Sequence, residues 1–148
     1  RKKNITLQEL ITEAEHNPSI DKEVDKEIAE LATQGETKEK TVIVEGRVQF
    51  HFIAKSLKVF ITVSPQEGAR RILSDIQDPT RSKERNEEHL TTQKEVEIET
   101  EKRKQNDRER LKRMYNIDYL NPKNYDLIID TTSITPREAA EQILEYLR

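Results

Sequence analysis

Two arginines and an aspartate stand at helical spacing in the most basic part of the chain. Arg103, Asp107 and Arg110 occupy positions i, i+4 and i+7, so a helix would place all three on one face. Two guanidinium groups can clamp a phosphate through charge-assisted, often bidentate bonds, and a carboxylate between them can orient them or accept a ribose hydroxyl. The spacing is compatible with a phosphate site, but a surface ion pair worth about 0.3–0.5 kcal/mol is the simpler explanation of the spacing alone.

A further arginine follows a segment that the sequence predicts to be a buried strand. Thr41–Glu45 is a β-branched run, too apolar for an edge strand, and Gly46 and Arg47 come directly after it. Ligands of open α/β sheets bind at the carboxyl ends of strands. There Gly46 would permit close backbone approach and Arg47 could reach a phosphate. Pairing of Arg47 with Glu45 or another surface acid is the alternative.

Composition argues against several other kinds of functional site. The 148 residues contain no cysteine, which excludes a disulfide framework and thiolate metal sites. The three histidines are scattered and form no metal motif, so we expect no metal ligands. The only glycines are Gly35, Gly46 and Gly68, and none begins the G-x-x-x-x-G-K-[ST] phosphate loop.

A net charge of −3 does not favour nucleic acid. No apolar run approaches the roughly 18 residues of a membrane span, so we expect a soluble, cytoplasmic protein.

The elements that must position the arginines follow from periodicity and caps. Apolar spacing predicts helices from Thr6 to Ala14 and from Ile20 to Leu31, the second ended by Gly35. Two capping boxes with proline at the first helical position, Ser64–Glu67 and Thr135–Glu138, predict two further helix starts. Residues 57–63 and 125–132 are predicted strands. Strands separated by helices indicate an α/β fold with a parallel sheet and flanking helices.

A long charged segment separates these strands. Residues 84–101 carry seven acids against two bases, and residues 102–113 carry seven bases against two acids. The segment is too polar to bury much and has no glycine. It therefore predicts a helical lid or arm, residues 79–113, inserted in a single domain of residues 1–148. Its basic end leads back toward the sheet, where an anionic ligand would lie.

Four passages in this order resemble the cytidylate kinases, in particular their archaeal-type branch. Asn17–Asp25 is similar to a helical segment of that family, and Val44-Glu-Gly-Arg47 to its V-E-G-R strand end. The arginine–aspartate–arginine helix leading to Tyr115-Asn-Ile-Asp118 resembles its lid helix and the Y-G-I-D that follows. Residues 125–132 with Pro136 resemble its final strand and helix start. The likeness spans nearly the whole chain.

The resemblance implies a P-loop nucleoside monophosphate kinase fold and transfer of the γ-phosphoryl group of ATP, with Mg²⁺, to CMP or dCMP. It implies that Arg103 and Arg110 act catalytically by closing over the phosphates. Substrate binding would fall to Arg47, Gly46, Asp107 and Arg71, with Asp107 holding the ribose or orienting the arginines. Thr131 and Thr132 would lie near the adenine of ATP.

The chain departs from the family pattern in three places. The glycine-rich loop, its lysine and the first strand are absent, so we expect little kinase activity from these residues alone. Val48 stands where many bacterial members have aspartate, which leaves the base preference open. The arm is longer and more acidic than the family pattern. A non-catalytic interaction protein, which binds a partner or a second copy through the arm, is therefore the alternative.

Overall fold

The computed structural model describes residues 18–35, 41–78, 80–81 and 90–148. The helix predicted between Thr6 and Ala14 lies outside these residues. The described elements run in the order α1 Pro18–Gly35, α2 Gln49–Phe52, β1 Val59–Thr62, α3 Pro65–Gln77, α4 Gln93–Tyr115, β2 Leu127–Asp130 and α5 Pro136–Tyr146, with a 3-10 turn at Pro122–Asn124 before β2. Among the described helices, none has the length and apolar character that a bilayer span requires.

The predicted parallel arrangement is confirmed. β1 and β2 pair in parallel, from Val59 opposite Leu127 to Thr62 opposite Asp130. The chain passes from one strand to the other through α3 and α4, as expected for a helical crossover. The Thr131 backbone N–H donates to the Thr62 carbonyl at 2.8 Å and continues the ladder by one bond. Both strands therefore end at the same edge, the edge at which α3 and α5 begin.

The predicted strand at Thr41–Glu45 is wrong. Residues 41–46 adopt no regular secondary structure, and Ile43 is 93% exposed where a buried strand was expected. A β-branched run becomes a strand only where its backbone N–H and C=O groups find a neighbouring ladder. In the described part of the chain the sheet has two strands, β1 and β2, and the run pairs with neither.

The two predicted capping boxes have different outcomes. At α5 the box is complete, because the Glu138 N–H donates to Thr135 Oγ1 and the Thr135 N–H donates back to Glu138 Oε2 at 2.7 Å. At α3 the Ser64 hydroxyl accepts from the Glu67 N–H at 3.3 Å. The Glu67 carboxylate does not return to Ser64 but binds Arg70 and Arg71, each at 2.7 Å. Charge-assisted bonds to two guanidiniums outweigh one bond to a neutral backbone N–H.

The described arm is one helix that is buried at two points. α4 spans 23 residues, begins with a Thr92–Glu95 capping box and ends at Tyr115, where Asn116 caps it with a left-handed φ of 57°. Val96 near its start packs against Ala69 of α3, and Leu111 near its end packs with Val48. The expectation that the arm buries little holds along most of α4, with Val96 and Leu111 as the two buried exceptions. The polar residues between these contacts include the predicted site residues.

Candidate functional site

Asp107 joins two of the predicted site arginines. Arg47 Nε lies 3.1 Å from Asp107 Oδ2, and an Arg110 terminal nitrogen lies 3.4 Å from Oδ1. The Asp107 side chain is 16% exposed, against 53% for Arg47 and 34% for Arg110. One largely covered carboxylate thus holds two guanidiniums that both reach solvent. The three groups carry a net charge of +1, and the arrangement can receive an anion from the solvent side.

The arginine cluster, meaning Arg47, Asp107 and Arg110, is held in place by the packing beneath it. Val48, next to Arg47, is 3% exposed, and Leu111, next to Arg110, is 3% exposed. These two residues share a hydrophobic cluster with Ile117 and Tyr119. Burial of each apolar neighbour fixes the backbone from which an arginine extends. The fold therefore holds the backbones of Arg47 and Arg110 close to one another.

Tyr119 is a site residue that the sequence patterns missed. It is 7% exposed, and its hydroxyl donates to the Lys104 carbonyl of α4 at 3.4 Å. Burial raises the pKa of Tyr119 and the Asp107 charge raises it further, whereas the Arg47 charge and a hydrogen bond from Arg47 lower it. The phenol is therefore in the immediate surroundings of the Arg47–Asp107 pair. No spacing rule links a residue after the arm to an arginine before β1, so sequence reasoning had no signal for it.

A bidentate ion pair joins α4 to the turn that follows it. Arg108 Nε donates to Asp118 Oδ1 at 3.0 Å, and its terminal nitrogen donates to Oδ2 at 2.5 Å. The hydrogen bond from Arg108 is the main cause that holds the pKa of Asp118 below its ordinary value. Asp118 also accepts from the Leu120 N–H at 3.2 Å. The turn after α4 is thus tied back to the helix face beside Asp107.

The sequence matches a known family over nearly all of its length. The family model described as "Cytidylate kinase" matches residues 2–148. The chain belongs to the cytidylate kinase family. No solved structure matches it.

Two kinds of curated relative are similar to the chain. A cytidylate kinase of Archaeoglobus fulgidus is 34% identical over 97% of this chain and 71% of its own length. A cytidylate kinase of Methanobrevibacter smithii is 31% identical over 99% of this chain and 75% of its own length. An S-adenosylmethionine-dependent nucleotide dehydratase of Lacinutrix mariniflava is 32% identical over 98% of this chain, which spans only 27% of that protein.

Two further residues predicted from the cytidylate kinase resemblance lie next to the arginine cluster. Arg103 is exposed on α4, one turn before Asp107, and its catalytic role stays a prediction. A side chain on Gly46 would place its Cβ 1.8 Å from Gln49 Oε1. The close approach at Gly46 is therefore made by the Gln49 side chain, whereas the predicted approach of a substrate stays a prediction.

The other predicted residues lie together at the carboxyl edge of the sheet. Arg71 donates to the Thr131 carbonyl at 2.6 Å and to Glu67 at 2.7 Å. The Thr131 hydroxyl donates to the Thr62 carbonyl at 2.8 Å, and the Thr132 hydroxyl accepts from the Ser64 N–H at 2.8 Å. These bonds fasten α3 to the end of β2. Substrate binding by Arg71 and adenine binding by the two threonines stay predictions.

The phosphate loop that cradles ATP in such kinases has no counterpart in this sequence. The 148 residues contain no phosphate-loop pattern, so no glycine-rich run of backbone N–H groups is available to cradle the β- and γ-phosphates. Within residues 18–35, 41–78, 80–81 and 90–148, no three acidic or histidine side chains gather as cation ligands.

Proposed function

We propose that this chain is the acceptor-binding and arm portion of a nucleoside monophosphate kinase that phosphorylates CMP or dCMP. Membership of the cytidylate kinase family supports the reaction class. The observation that carries the proposal is the arginine cluster, in which Asp107 holds Arg47 and Arg110 side by side. The names of all three relatives, two cytidylate kinases and one nucleotide dehydratase, refer to nucleotides. This fits a nucleotide ligand.

In this proposal Arg47 and Arg110 bind the phosphate of the monophosphate acceptor. An oxygen of that phosphate forms a bond to the γ-phosphorus of ATP while the bond from that phosphorus to the β,γ-bridging oxygen breaks, which gives a nucleoside diphosphate and ADP. Such transfer depends on charge neutralisation and alignment more than on a base. The two guanidiniums supply the charge, and the shared carboxylate fixes their relative orientation.

The ATP half of the reaction needs a phosphate loop that these residues lack. We therefore propose that the 148 residues bind CMP but turn over ATP and CMP negligibly, and that the loop is supplied by residues outside this sequence. Thr131 and Thr132 are proposed to lie beside the adenine. The cytoplasmic location expected from the sequence stays a prediction.

Calorimetric titration of the folded chain with CMP, dCMP, AMP and UMP tests this function. We expect selective binding of the cytidine nucleotides and a loss of about tenfold or more in affinity for Arg110→Ala, because a phosphate contact to a guanidinium is worth about 1.5–3 kcal/mol. Arg137→Ala is the matched control, since Arg137 is an exposed arginine on α5 paired with Glu141. Loss of affinity in both variants would instead indicate non-specific charge attraction.

The same titration addresses the alternative function. A folded chain that binds none of the four nucleotides would contradict the acceptor site. Sedimentation of that chain at rising concentration would then test the alternative, a non-catalytic interaction protein that uses the arm for a partner or a second copy.

A further inference from the structure

One carboxylate of α1 contacts both segments that carry the Arg47–Asp107 pair. Asp25 Oδ1 accepts from Gln49 Nε2 at 2.9 Å, and Asp25 Oδ2 accepts from the Tyr115 hydroxyl at 2.6 Å. Gln49 lies two residues after Arg47, and Tyr115 lies about two helical turns after Asp107. Asp25 therefore bridges the loop that presents the arginine and the helix that presents its partner.

The Gln49 side chain shapes the backbone around Arg47. It is 7% exposed, and its Oε1 accepts from the Val48 N–H at 3.1 Å. The same oxygen occupies the position where a Cβ at residue 46 would stand. The segment from Gly46 to Gln49 is thus folded around one amide group, and that amide is oriented by Asp25. A displaced Gln49 would release the Val48 N–H and the backbone on either side of Arg47.

Tyr115 fixes the other side of the bridge. It is the last residue of α4, and its ring meets Phe52 of α2 edge-on at 5.3 Å between centroids. The hydroxyl end reaches Asp25, so the ring spans from α2 to α1. Because α4 is a continuous helix, holding its end also holds the rotational setting of Asp107.

We infer that Asp25 is a positioning residue that aligns Arg47 with Asp107 for binding of the acceptor phosphate. This inference rests on the proposed function for its consequence, and on the Gln49 and Tyr115 contacts for its geometry. A carboxylate suits this position because both oxygens can accept hydrogen bonds at once. An alanine would leave the amide of Gln49 and the phenol of Tyr115 without a shared partner.

The test combines one measurement without nucleotide and one with it. Hydrogen exchange of the Val48 amide reports directly on the Gln49 contact, and calorimetry with CMP reports on the aligned arginines. The variants are Asp25→Ala, Asp25→Asn and Tyr115→Phe, the last of which keeps the ring packed on Phe52. Gly46→Ala displaces the Gln49 side chain without altering Asp25, and so disturbs the segment around Arg47 in a second way. Glu23→Ala removes an exposed carboxylate from the same helix and is the matched control.

We expect Asp25→Ala to speed exchange of the Val48 amide and to raise the CMP dissociation constant about tenfold, the effect of losing one or two hydrogen bonds to a charged group. Asp25→Asn retains one acceptor oxygen and should therefore bind CMP more tightly than Asp25→Ala does. If residue 25 only filled space, its remaining acceptor oxygen would not matter in this way. Gly46→Ala should match Asp25→Ala, and Glu23→Ala should match the unaltered chain. Each variant is compared at a temperature where its unfolding curve shows it folded.

The inference and the proposed function fail in different ways. If the unaltered chain binds no CMP, the proposed function fails, and the exchange measurement still decides whether Asp25 orders the segment around Arg47. Unchanged Val48 exchange in folded Asp25→Ala would overturn the inference, as would unchanged CMP affinity in folded Tyr115→Phe when Arg110→Ala has lost it. So would unchanged CMP affinity in Asp25→Ala when Arg110→Ala has lost it.

Discussion

Arg47 and Asp107 form an ion pair between a loop before β1 and the middle of the arm helix, with 3.1 Å between Nε and Oδ2. The pair uses the Nε edge of the guanidinium, while the side chain stays 53% exposed. Asp107 also contacts Arg110. A role in orienting both arginines is thus favoured over contact with a ribose, and the two roles can be separated by choice of ligand.

Asp107→Asn should weaken binding of CMP and of inorganic phosphate by a similar factor. The amide holds each guanidinium more weakly, and we expect this loss of alignment to outweigh the added unit of positive charge, so that affinity falls about tenfold for both ligands. Parallel calorimetric titrations with the two ligands measure this. A variant that loses CMP affinity but keeps its phosphate affinity would instead place the ribose on Asp107.

Val48→Asp should unfold or severely destabilise the chain. Val48 is 3% exposed against Leu111 and Tyr119, and a buried unpaired charge costs several kcal/mol. Val48→Ala, the control, should lower the free energy of unfolding by only about 1–3 kcal/mol, because it leaves a small cavity. Urea denaturation of both variants measures the difference. Equal losses of stability would show that the side chain of residue 48 reaches water.

Asn116 closes α4 in the left-handed region, with φ of 57°. Asn116→Ala should cost about 1–2 kcal/mol, because a Cβ without a polar group is disfavoured in that conformation. Asn116→Gly should be neutral or stabilising by a few tenths of a kcal/mol, since glycine adopts it without a steric cost. Thermal unfolding of the two variants checks the order. A more stable alanine variant would contradict the left-handed cap.

Glu67 makes stability depend on pH in the acid range. Hydrogen bonds from Arg70 and then Arg71 lower its pKa from 4.5 to about 2. A carboxyl with a lower pKa in the folded state stabilises the fold above its unfolded pKa and loses that contribution as the pH falls. Between pH 4.5 and 2, therefore, the free energy of unfolding should fall more steeply for the unaltered chain than for Glu67→Gln. Urea unfolding at several pH values tests this, and identical slopes would contradict it.

Local patterns predicted the local features and little beyond them. The spacing of Asp107 and Arg110 placed them on one helical face, and the Thr135 cap was correct in both of its bonds. The strand at Thr41–Glu45 failed because strand formation depends on a neighbour that no local pattern specifies. The Glu67 carboxylate failed to complete its box because two arginines on the next turn competed for it.

The centre of the candidate site was the hardest part to predict. The sequence left Arg47 open between a phosphate ligand after an expected strand and the partner of an acid. That strand is absent, and Arg47 pairs with Asp107. Its setting comes from the burial of Val48 and from Gln49. The sequence patterns did not single out Asp25, Gln49 and Tyr119. The partners of these polar side chains are distant in sequence and meet them only in the folded chain.

The two buried contacts of α4 make the number of residues between them matter. Val96 and Leu111 are separated by about 22 Å along the axis at about 1.5 Å per residue. Each added residue would rotate everything beyond it by about 100°, turning Leu111 toward water and Asp107 away from Arg47. Insertions in this stretch should therefore be poorly tolerated even when seven residues restore the helical phase, because seven residues also lengthen the helix by about 10 Å. Changes of residue type should be accepted at exposed positions outside the arginine cluster.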